Sequence, residues 1–554
     1  MGGILNEVAN QPPPLEDYNL FSCDLALQEA LEREGAGWAR ARVTEFGRLS
    51  GSAEAIHWGF QANENAPVLH THDRFGNRRD EVEFHPAWHE LMRRSVEYGL
   101  HNLSWLEARP GAQVARAALM LVGAQNEAGH LCPLSMTHAS LPVLRREPNL
   151  ACDWEPRILS TSYDPRFLPA CEKSGALVGM AMTEKQGGSD LRANTTQAEP
   201  LDAPGEFLIT GHKWFCSAPM CDAFLVLARA PGGLACFLLP RWTPEGKRNA
   251  FFLQRLKSKV GNRSNASSEV ELSGAWARRV GEEGRGVAII MEMVQSTRLD
   301  CTISSAGLTR QAVTQAIHHA RHRSAFGHTL TDQPLMCNVL ADLAVESEAA
   351  TLLAMRLARA FDAAASDPRE HGLARLATAA AKYWVCKRAP AHVAEALECL
   401  GGNGYVEESI LPRLYREAPV NSVWEGPGNV ISLDLLRALD KEPSSRDSLL
   451  AEIAVARGES RGLDAFASAL ERDLACASEE SARRLAARVA VALEASLVLR
   501  HSPHPVPEAF LASRLAGEHT FGTLPAGIDF RAIIDRAWPP GQTISSSIQP
   551  TGRR

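Results

Sequence analysis

Met180-Ala181-Met182-Thr183-Glu184-Lys185-Gln186-Gly187-Gly188-Ser189-Asp190 is the stretch at which the texture of the chain changes. Before it, runs such as 24–34 and 113–125 carry helical periodicity between Pro and Gly breaks, which predicts one N-terminal helical domain over residues 1–178. After it come short apolar or alternating runs: Phe207-Leu208-Ile209, 224–228, 235–239 and Val270-Glu271-Leu272. Gly211, Pro231-Gly232-Gly233, Pro240 and Gly261 punctuate them, and no helix-length amphipathic segment intervenes. That pattern predicts an antiparallel β domain over 179–280 rather than a Rossmann unit. From Gly286 the helical period returns with Val287, Ile290, Met291 and Val294, predicting a bundle of long helices over 281–440. Lys441-Glu442-Pro443-Ser444-Ser445 reads as a linker, and Leu485, Val489, Leu493 and Leu497 mark a helix in a C-terminal helical domain over 441–554. The Ser/Thr-rich tail from Gln542 is expected to be disordered. The fold class is therefore α+β, with helices on both sides of a β insert.

A length of 554 residues accommodates about three or four domains. With 58 Lys+Arg against 65 Asp+Glu the net charge is −7, so no overall basic excess draws the molecule to nucleic acid. Twelve cysteines are scattered without a CxxC pair, which disfavours a zinc module and a secreted disulfide framework and points to the cytoplasm. No basic segment leads into an apolar run at the N-terminus, and no membrane-length apolar stretch occurs, so secretion and membrane spanning are not expected. Gly2 suggests myristoylation, but Asn6 stands where Ser or Thr is required.

Four segments carry chemistry. In the 180–190 stretch a glycine pair beside Ser and Thr lets backbone N–H groups approach a ring or phosphate, or forms an ordinary turn. Gly211-His212-Lys213-Trp214-Phe215-Cys216-Ser217 supplies two aromatics that can stack on a flat cofactor or fill a core. Arg321-His322-Arg323-Ser324-Ala325-Phe326-Gly327, followed by Gln333-Pro334-Leu335, lies at a helix end. Arg323 there can reach a pyrophosphate or offset the helix dipole. Last come Leu400-Gly401-Gly402-Asn403-Gly404-Tyr405 and Asn421-Ser422-Val423-Trp424-Glu425-Gly426-Pro427-Gly428-Asn429. A carboxylate beside Trp in a Gly/Pro-rich turn has surroundings that raise its pKa toward base catalysis.

In this order and spacing, the four segments resemble the acyl-CoA dehydrogenase flavoprotein family over residues from about 175 to 440. The strings 183–190, Gly-Asn-Arg-Ser-Asn-Ala-Ser (261–267), Asn-Gln-Pro (10–12) and Phe-His-Pro-Ala-Trp-His (84–89) are similar to its alkylation-response, AidB-like branch nearly end to end. The resemblance implies an N-terminal helical domain, a middle β domain, a helical bundle and an added C-terminal helical domain, with FAD as cofactor. It implies that Met182, Thr183, Gly188 and Ser189 line the flavin ring and pyrophosphate, that Phe215 and Ser217 flank the isoalloxazine, and that Val423, Trp424, Gly426 and Asn429 cover its other side. Arg323, Phe326, Gln333, Gly401 and Gly402 would touch the FAD of a neighbouring subunit, so a homo-oligomer, typically a dimer of dimers, is expected. Glu425 matches the family's catalytic base, which removes the α-proton of a thioester while the β-hydrogen leaves as hydride to the flavin. Trp424 replaces the family's Tyr and Pro427 its Thr, so a bulky ring enters the pocket and a hydroxyl is lost. Arg437, twelve residues after Glu425, would lower the Glu425 pKa if it reaches back.

Three functions follow as expectations: an AidB-type homologue protecting DNA from alkylation, a dehydrogenase of a small or branched acyl-CoA, or a DNA-binding protein with structural FAD. The i, i+4 pairs His318/His322 and His85/His89 lack the Glu of a metalloprotease signature, and no metal is expected. Residues 441–554 hold 14 basic and 14 acidic side chains. Arg483, Arg484 and Arg488 form one local stripe there, able to contact duplex DNA non-specifically or to sit as a solvated helix face.

Overall fold

A computed structural model describes residues 9–539. The N-terminal region is helical except at Val68–His72 and Arg78–Glu83, which pair as an antiparallel hairpin. Its tip carries an Asx turn, in which the Asp73 carboxylate accepts from the backbone N–H groups of Phe75 and Asn77. This short polar hairpin corrects the expectation of helix throughout, because it has no apolar period of either kind to announce it.

Helix Ala112–Asn126 is buried at every residue and packs against the 37-residue helix Gly286–His322. Their close approach needs Gly307, where a Cβ would stand 2.6 Å from the Leu121 carbonyl oxygen. Between them the buried Arg116 guanidinium donates twice to Asp300, at 2.8 and 2.7 Å, and once to the Leu100 carbonyl at 2.8 Å. Neither charge has another ionic partner at this depth, so the pair ties the register of the two helices.

The middle domain is a seven-stranded sheet that closes on itself. Ala223–Ala230 pairs with Gly233–Pro240, which pairs with Ser267–Val280, then Glu206–Ser217, then Gln197–Pro200, and back to Ala223–Ala230 through Gln197 and Arg229. Val178–Ala181 adds in parallel to Ala223–Ala230, and Phe251–Leu256 adds antiparallel to Ser267–Val280. The four runs read as strands from the sequence all lie within this sheet. Ala223–Ala230 is apolar over its first six residues because it is covered on both faces.

Helices Gly286–His322, Pro334–Ala363, Pro368–Cys399 and Gly428–Lys441 form the bundle. The stretch read as a linker is instead a sharp joint: Gly428–Lys441 ends, and after Glu442 the helix Pro443–Ala454 begins. Pro443 opens that helix at a position that needs no N–H. Arg461–Ala475, Ala482–His501, Val506–Arg514 and Phe530–Ala537 complete the C-terminal region. Among the described residues no helix is long and apolar enough to cross a membrane, and the cysteines are unpaired thiols. The tail from Gln542, and Gly2 with Asn6, lie outside the described residues.

Candidate active site

Strand Glu206–Ser217 breaks register with Ser267–Val280 between Lys213 and Cys216. The bulge releases Trp214 and Phe215 from strict alternation. Phe215 is left 50% exposed, and the Lys257 ammonium stands 3.3 Å from the Trp214 ring centre and 4.7 Å from that of Phe215. The neighbouring 182–190 loop is held from beneath. Glu184 is fully buried and takes the Lys213 ammonium at 2.9 Å, the Thr195 N–H at 2.7 Å and the Thr196 hydroxyl at 2.6 Å. These partners, the Lys213 charge foremost, outweigh burial and keep its carboxyl well below the usual glutamate range. Backbone bonds fix the rest, with Trp214 N–H donating to Thr183 O at 2.8 Å and Asn194 Nδ2 to Met182 O at 3.0 Å. Gly188 lets the loop fold onto Thr183, since a Cβ there would come within 2.3 Å of Thr183 Oγ1. Met182 and Thr183 are half-buried and Ser189 is exposed at the mouth of this cradle.

The second wall is the turn between helices Val420–Val423 and Gly428–Lys441. Glu425 sits there with φ +58°, a left-handed conformation that carries strain for a residue with a Cβ, followed by Gly426 at +107°. Three carbonyls are pinned by two buried cations. Lys382 Nζ donates to Trp424 O at 2.9 Å and Gly426 O at 2.5 Å, and Arg298 Nε donates to Glu425 O at 3.0 Å. Arg298 is itself paired with Asp434 at 2.7 Å. The Trp424 indole donates to Asn421 Oδ1 at 3.0 Å, which fixes the ring. Glu425 Oε2 is buried with no hydrogen-bond partner. Burial raises its pKa above the ordinary glutamate value, and a hydrogen bond from Thr297 with the charges of Arg298 and Lys382 opposes the rise.

Cys132 joins the two walls. Its thiol lies within hydrogen-bonding reach of Ser217 and Asn265 and within the electrostatic field of Glu425, and burial pushes its pKa up to about 12. The Ser217 and Ser267 hydroxyls meet at 3.4 Å. Exposed Val423 (62%) and Phe215 therefore offer apolar surface beside hydroxyls, open glycine backbone and one unpartnered carboxylate oxygen. This donor set suits a planar group bearing phosphates, as FAD is.

Arg437 is not part of this arrangement. It projects exposed from helix Gly428–Lys441, and the cations that act on Glu425 are Arg298 and Lys382. Arg437 lies nine residues beyond Gly428, so the helix rise alone carries it about 14 Å from the turn, too far for its charge to set the Glu425 pKa. The residues expected to face a neighbouring subunit lie on a separate surface. Phe326 is 95% exposed at the tip of the hairpin formed by Ser324–Ala325 and His328–Thr329, Gln333 Nε2 donates to Ala325 O at 2.9 Å, and Gly401 and Gly402 have nothing within Cβ contact. Asn429 Oδ1 accepts from Arg483 Nη1 at 3.2 Å.

The basic stripe is largely engaged within the chain. Arg483 Nε donates to the Tyr383 hydroxyl at 3.2 Å, and Arg488 pairs with Asp473 at 3.1 Å over the Phe466 ring. Arg484 alone of the three shows no such partner and is exposed. The histidine pairs are engaged within the fold: His318 Nε2 bonds Pro13 O at 2.9 Å, His322 Nδ1 bonds His318 O at 2.8 Å, His85 caps helix Pro86–Tyr98, and His89 Nδ1 meets the Tyr163 hydroxyl at 2.9 Å. Sequence reasoning passed over Thr297, Arg298, Lys382 and Cys132. The one available signal was Lys382 itself, an ammonium inside the apolar run 376–386 that has to find buried acceptors.

Residues 10–165 match the family model for the adaptive response protein AidB N-terminal domain. Residues 179–275 and 284–439 match the middle and C-terminal domains of acyl-CoA dehydrogenases. The chain is 47% identical over 505 residues to AidB of Escherichia coli (strain K12), covering 91% of this chain and 93% of that protein. It is 33% identical over 417 residues to acyl-CoA dehydrogenase family member 11 of Caenorhabditis elegans, covering 72% of this chain and 66% of that one. Among solved structures, Caenorhabditis elegans ACDH-11 in complex with C11-CoA superposes with a TM-score of 0.82 at 26% identity, over 97% of this chain and 93% of that one. The apo form of Bd2924 gives a TM-score of 0.82 at 27% identity, over 90% of this chain and all of the other.

Proposed function

The chain belongs to the acyl-CoA dehydrogenase family, FAD-dependent oxidoreductases that act on CH–CH groups, and from that premise we propose that Glu425 is the base removing the α-proton of an acyl thioester in an AidB-type member of the family. The observation that carries this reading is the buried, unpaired Glu425 Oε2 on a strained turn pinned by Lys382 and Arg298. A carboxylate with one oxygen left without a partner in a dry site is basic and aimed. FAD, when bound, supplies the acceptor for the hydride leaving the β-carbon. Met182, Thr183, Gly188, Ser189, Phe215 and Ser217 would hold it on one side, and Val423, Trp424, Gly426 and Asn429 on the other. Arg323, Phe326, Gln333, Gly401 and Gly402 would complete the site of a neighbouring subunit in a dimer of dimers. The exposed Phe326, Leu335 and Tyr405 give that face the apolar surface an interface needs.

The AidB likeness supports a role in protecting DNA against alkylation, by destroying the agent or by shielding the duplex. The test mixes the purified protein with a panel of acyl-CoAs and follows the flavin band. Fast bleaching by a short or branched acyl-CoA supports a metabolic dehydrogenase, whereas no bleaching together with salt-sensitive DNA binding supports a DNA-associated protein with structural FAD.

Where bleaching occurs, Lys382→Met should move its acid limb to higher pH. Removing a cation raises the Glu425 pKa, so the base is lost to protonation at higher pH than in the wild type. A pH–rate profile with an unmoved acid limb would contradict the assignment. Duplex binding through the stripe should depend mainly on Arg484. Replacing Arg483, Arg484 and Arg488 together with Ala should therefore flatten the log–log salt slope by about 0.9, the value for one phosphate, rather than by about 3. A fluorescence anisotropy salt titration showing the larger change would mean that Arg483 and Arg488 leave their partners to bind DNA.

A further inference from the structure

We propose that the extended segment 10–13 is a clamp that presets the partner-facing cofactor surface, with Asn10 as its positioning residue. The inference rests on the reading that Arg323, Phe326, Gln333, Gly401 and Gly402 face a neighbouring subunit's FAD. These residues come from two pieces of chain, the 323–333 hairpin region and the turn after helix Pro368–Cys399, and the segment touches both.

The hairpin is poorly self-supporting. It has two residues per strand, and its central residues Phe326 and Gly327 have φ of +54° and +81°. That is the backbone of a two-residue primed turn, which favours Asn or Gly and strains a Phe. So short a ribbon is marginal without a third strand. Asn10 supplies one with its side chain. Its Oδ1 accepts from the Ser324 N–H at 2.7 Å and its Nδ2 donates to the Ser324 carbonyl at 2.8 Å, a pairing that copies a ladder rung. Its own carbonyl accepts from Arg323 Nη1 at 2.6 Å, which fixes the direction of the guanidinium. Asn10 adopts φ +56°, a region Asn tolerates better than most residues.

The next residue reaches the second piece, with Gln11 Oε1 accepting from Asn403 Nδ2 at 2.9 Å beside Gly401 and Gly402. Pro13 O takes the His318 ring N–H at 2.9 Å, and Leu15 is buried immediately beyond. Pro12, Pro13 and Pro14 keep the segment extended before any contact forms, so little freedom is lost when it docks.

The test compares full-length wild-type apoprotein with Asn10→Gly, which keeps the positive φ and removes the amide. FAD is titrated in and its fluorescence quenching followed. Loss of two hydrogen bonds should weaken FAD affinity roughly ten-fold. In a Phe326→Ala background, Asn10→Gly should add less than about two-fold, because the two lost amide bonds act by holding the hairpin whose tip side chain is already removed. A role confined to general stability would show the same loss in both backgrounds. Equal affinity of Asn10→Gly and wild type, or full additivity with Phe326→Ala, would overturn the clamp while leaving the cofactor reading intact. A wild-type protein that takes up no FAD would overturn that reading and the clamp with it.

Discussion

Glu425→Gln should slow flavin bleaching by an acyl-CoA a hundred- to ten-thousand-fold, the usual worth of a positioned general base, while FAD stays bound. The glutamine keeps the shape of the side chain and the same backbone strain at φ +58°. The turn is also held by groups the substitution does not touch, since Lys382 and Arg298 bind main-chain carbonyls rather than the Glu425 carboxylate. What disappears is the lone pair that can take a proton at Oε2. Stopped-flow absorbance of the flavin band reads the rate, and a denatured-protein extract reads the FAD content. Undiminished bleaching would remove Glu425 from the role of base, and loss of FAD with loss of bleaching would make it a structural residue of the cofactor site.

Arg514→Met should destabilise the protein by about 3–5 kcal/mol, the cost of breaking a buried ion pair from one side. Arg514 is 2% exposed and joins the C-terminal region to helix Pro334–Ala363, with Nη2 on Asp342 at 2.5 Å and Nε on Glu346 at 2.8 Å. Glu346 keeps Arg388 at 2.8 Å in the variant, but Asp342 keeps only the Gly522 N–H at 2.9 Å. Burial works against the Glu346 charge, and Arg514 and Arg388 together hold its carboxyl far below the ordinary range. The contribution is therefore fully present above the unfolded glutamate value near about pH 4, and fades as pH falls through the depressed folded value. The difference between variant and wild type should be largest at neutral pH and shrink in acid. Thermal melting with limited proteolysis of the segment beyond residue 502 measures both effects. An unchanged melting temperature at pH 7 would show that this network does not dock the C-terminal region.

Several features were legible because they are local. The strands at 207–209, 224–228, 235–239 and 270–272 announce themselves by apolar runs between Gly and Pro, and the bundle helices by their 3.6-residue period. The Gly187-Gly188 cradle and the 421–429 turn were legible as motifs, because a close backbone approach and a positive φ restrict residue choice. The hairpin of Val68–His72 and Arg78–Glu83 escaped, since the buried face of its second strand is made by Asp80 and Val82, so burial alternates where hydrophobicity does not. The supposed linker at 441–445 escaped for another reason: Pro443 reads as a break, and a proline at the first residue of a new helix looks like a break between domains.

By itself the sequence determined the order of helical, β and helical regions, the family, and the residue types that a flavin and a thioester require. These depend on periodicity and on short motifs whose chemistry is complete within a few residues. Which charge governs Glu425 was decided only in three dimensions. Arg437 lies nine residues beyond the start of the following helix and is exposed, while Arg298 and Lys382, 127 and 43 positions distant, arrive from two other helices. The stripe of Arg483, Arg484 and Arg488 likewise looks uniform along its helix, yet Tyr383, Asn429 and Asp473 occupy two of the three guanidiniums. Electrostatic interaction falls with distance through space and with exposure to water, and neither is ordered by position along the chain.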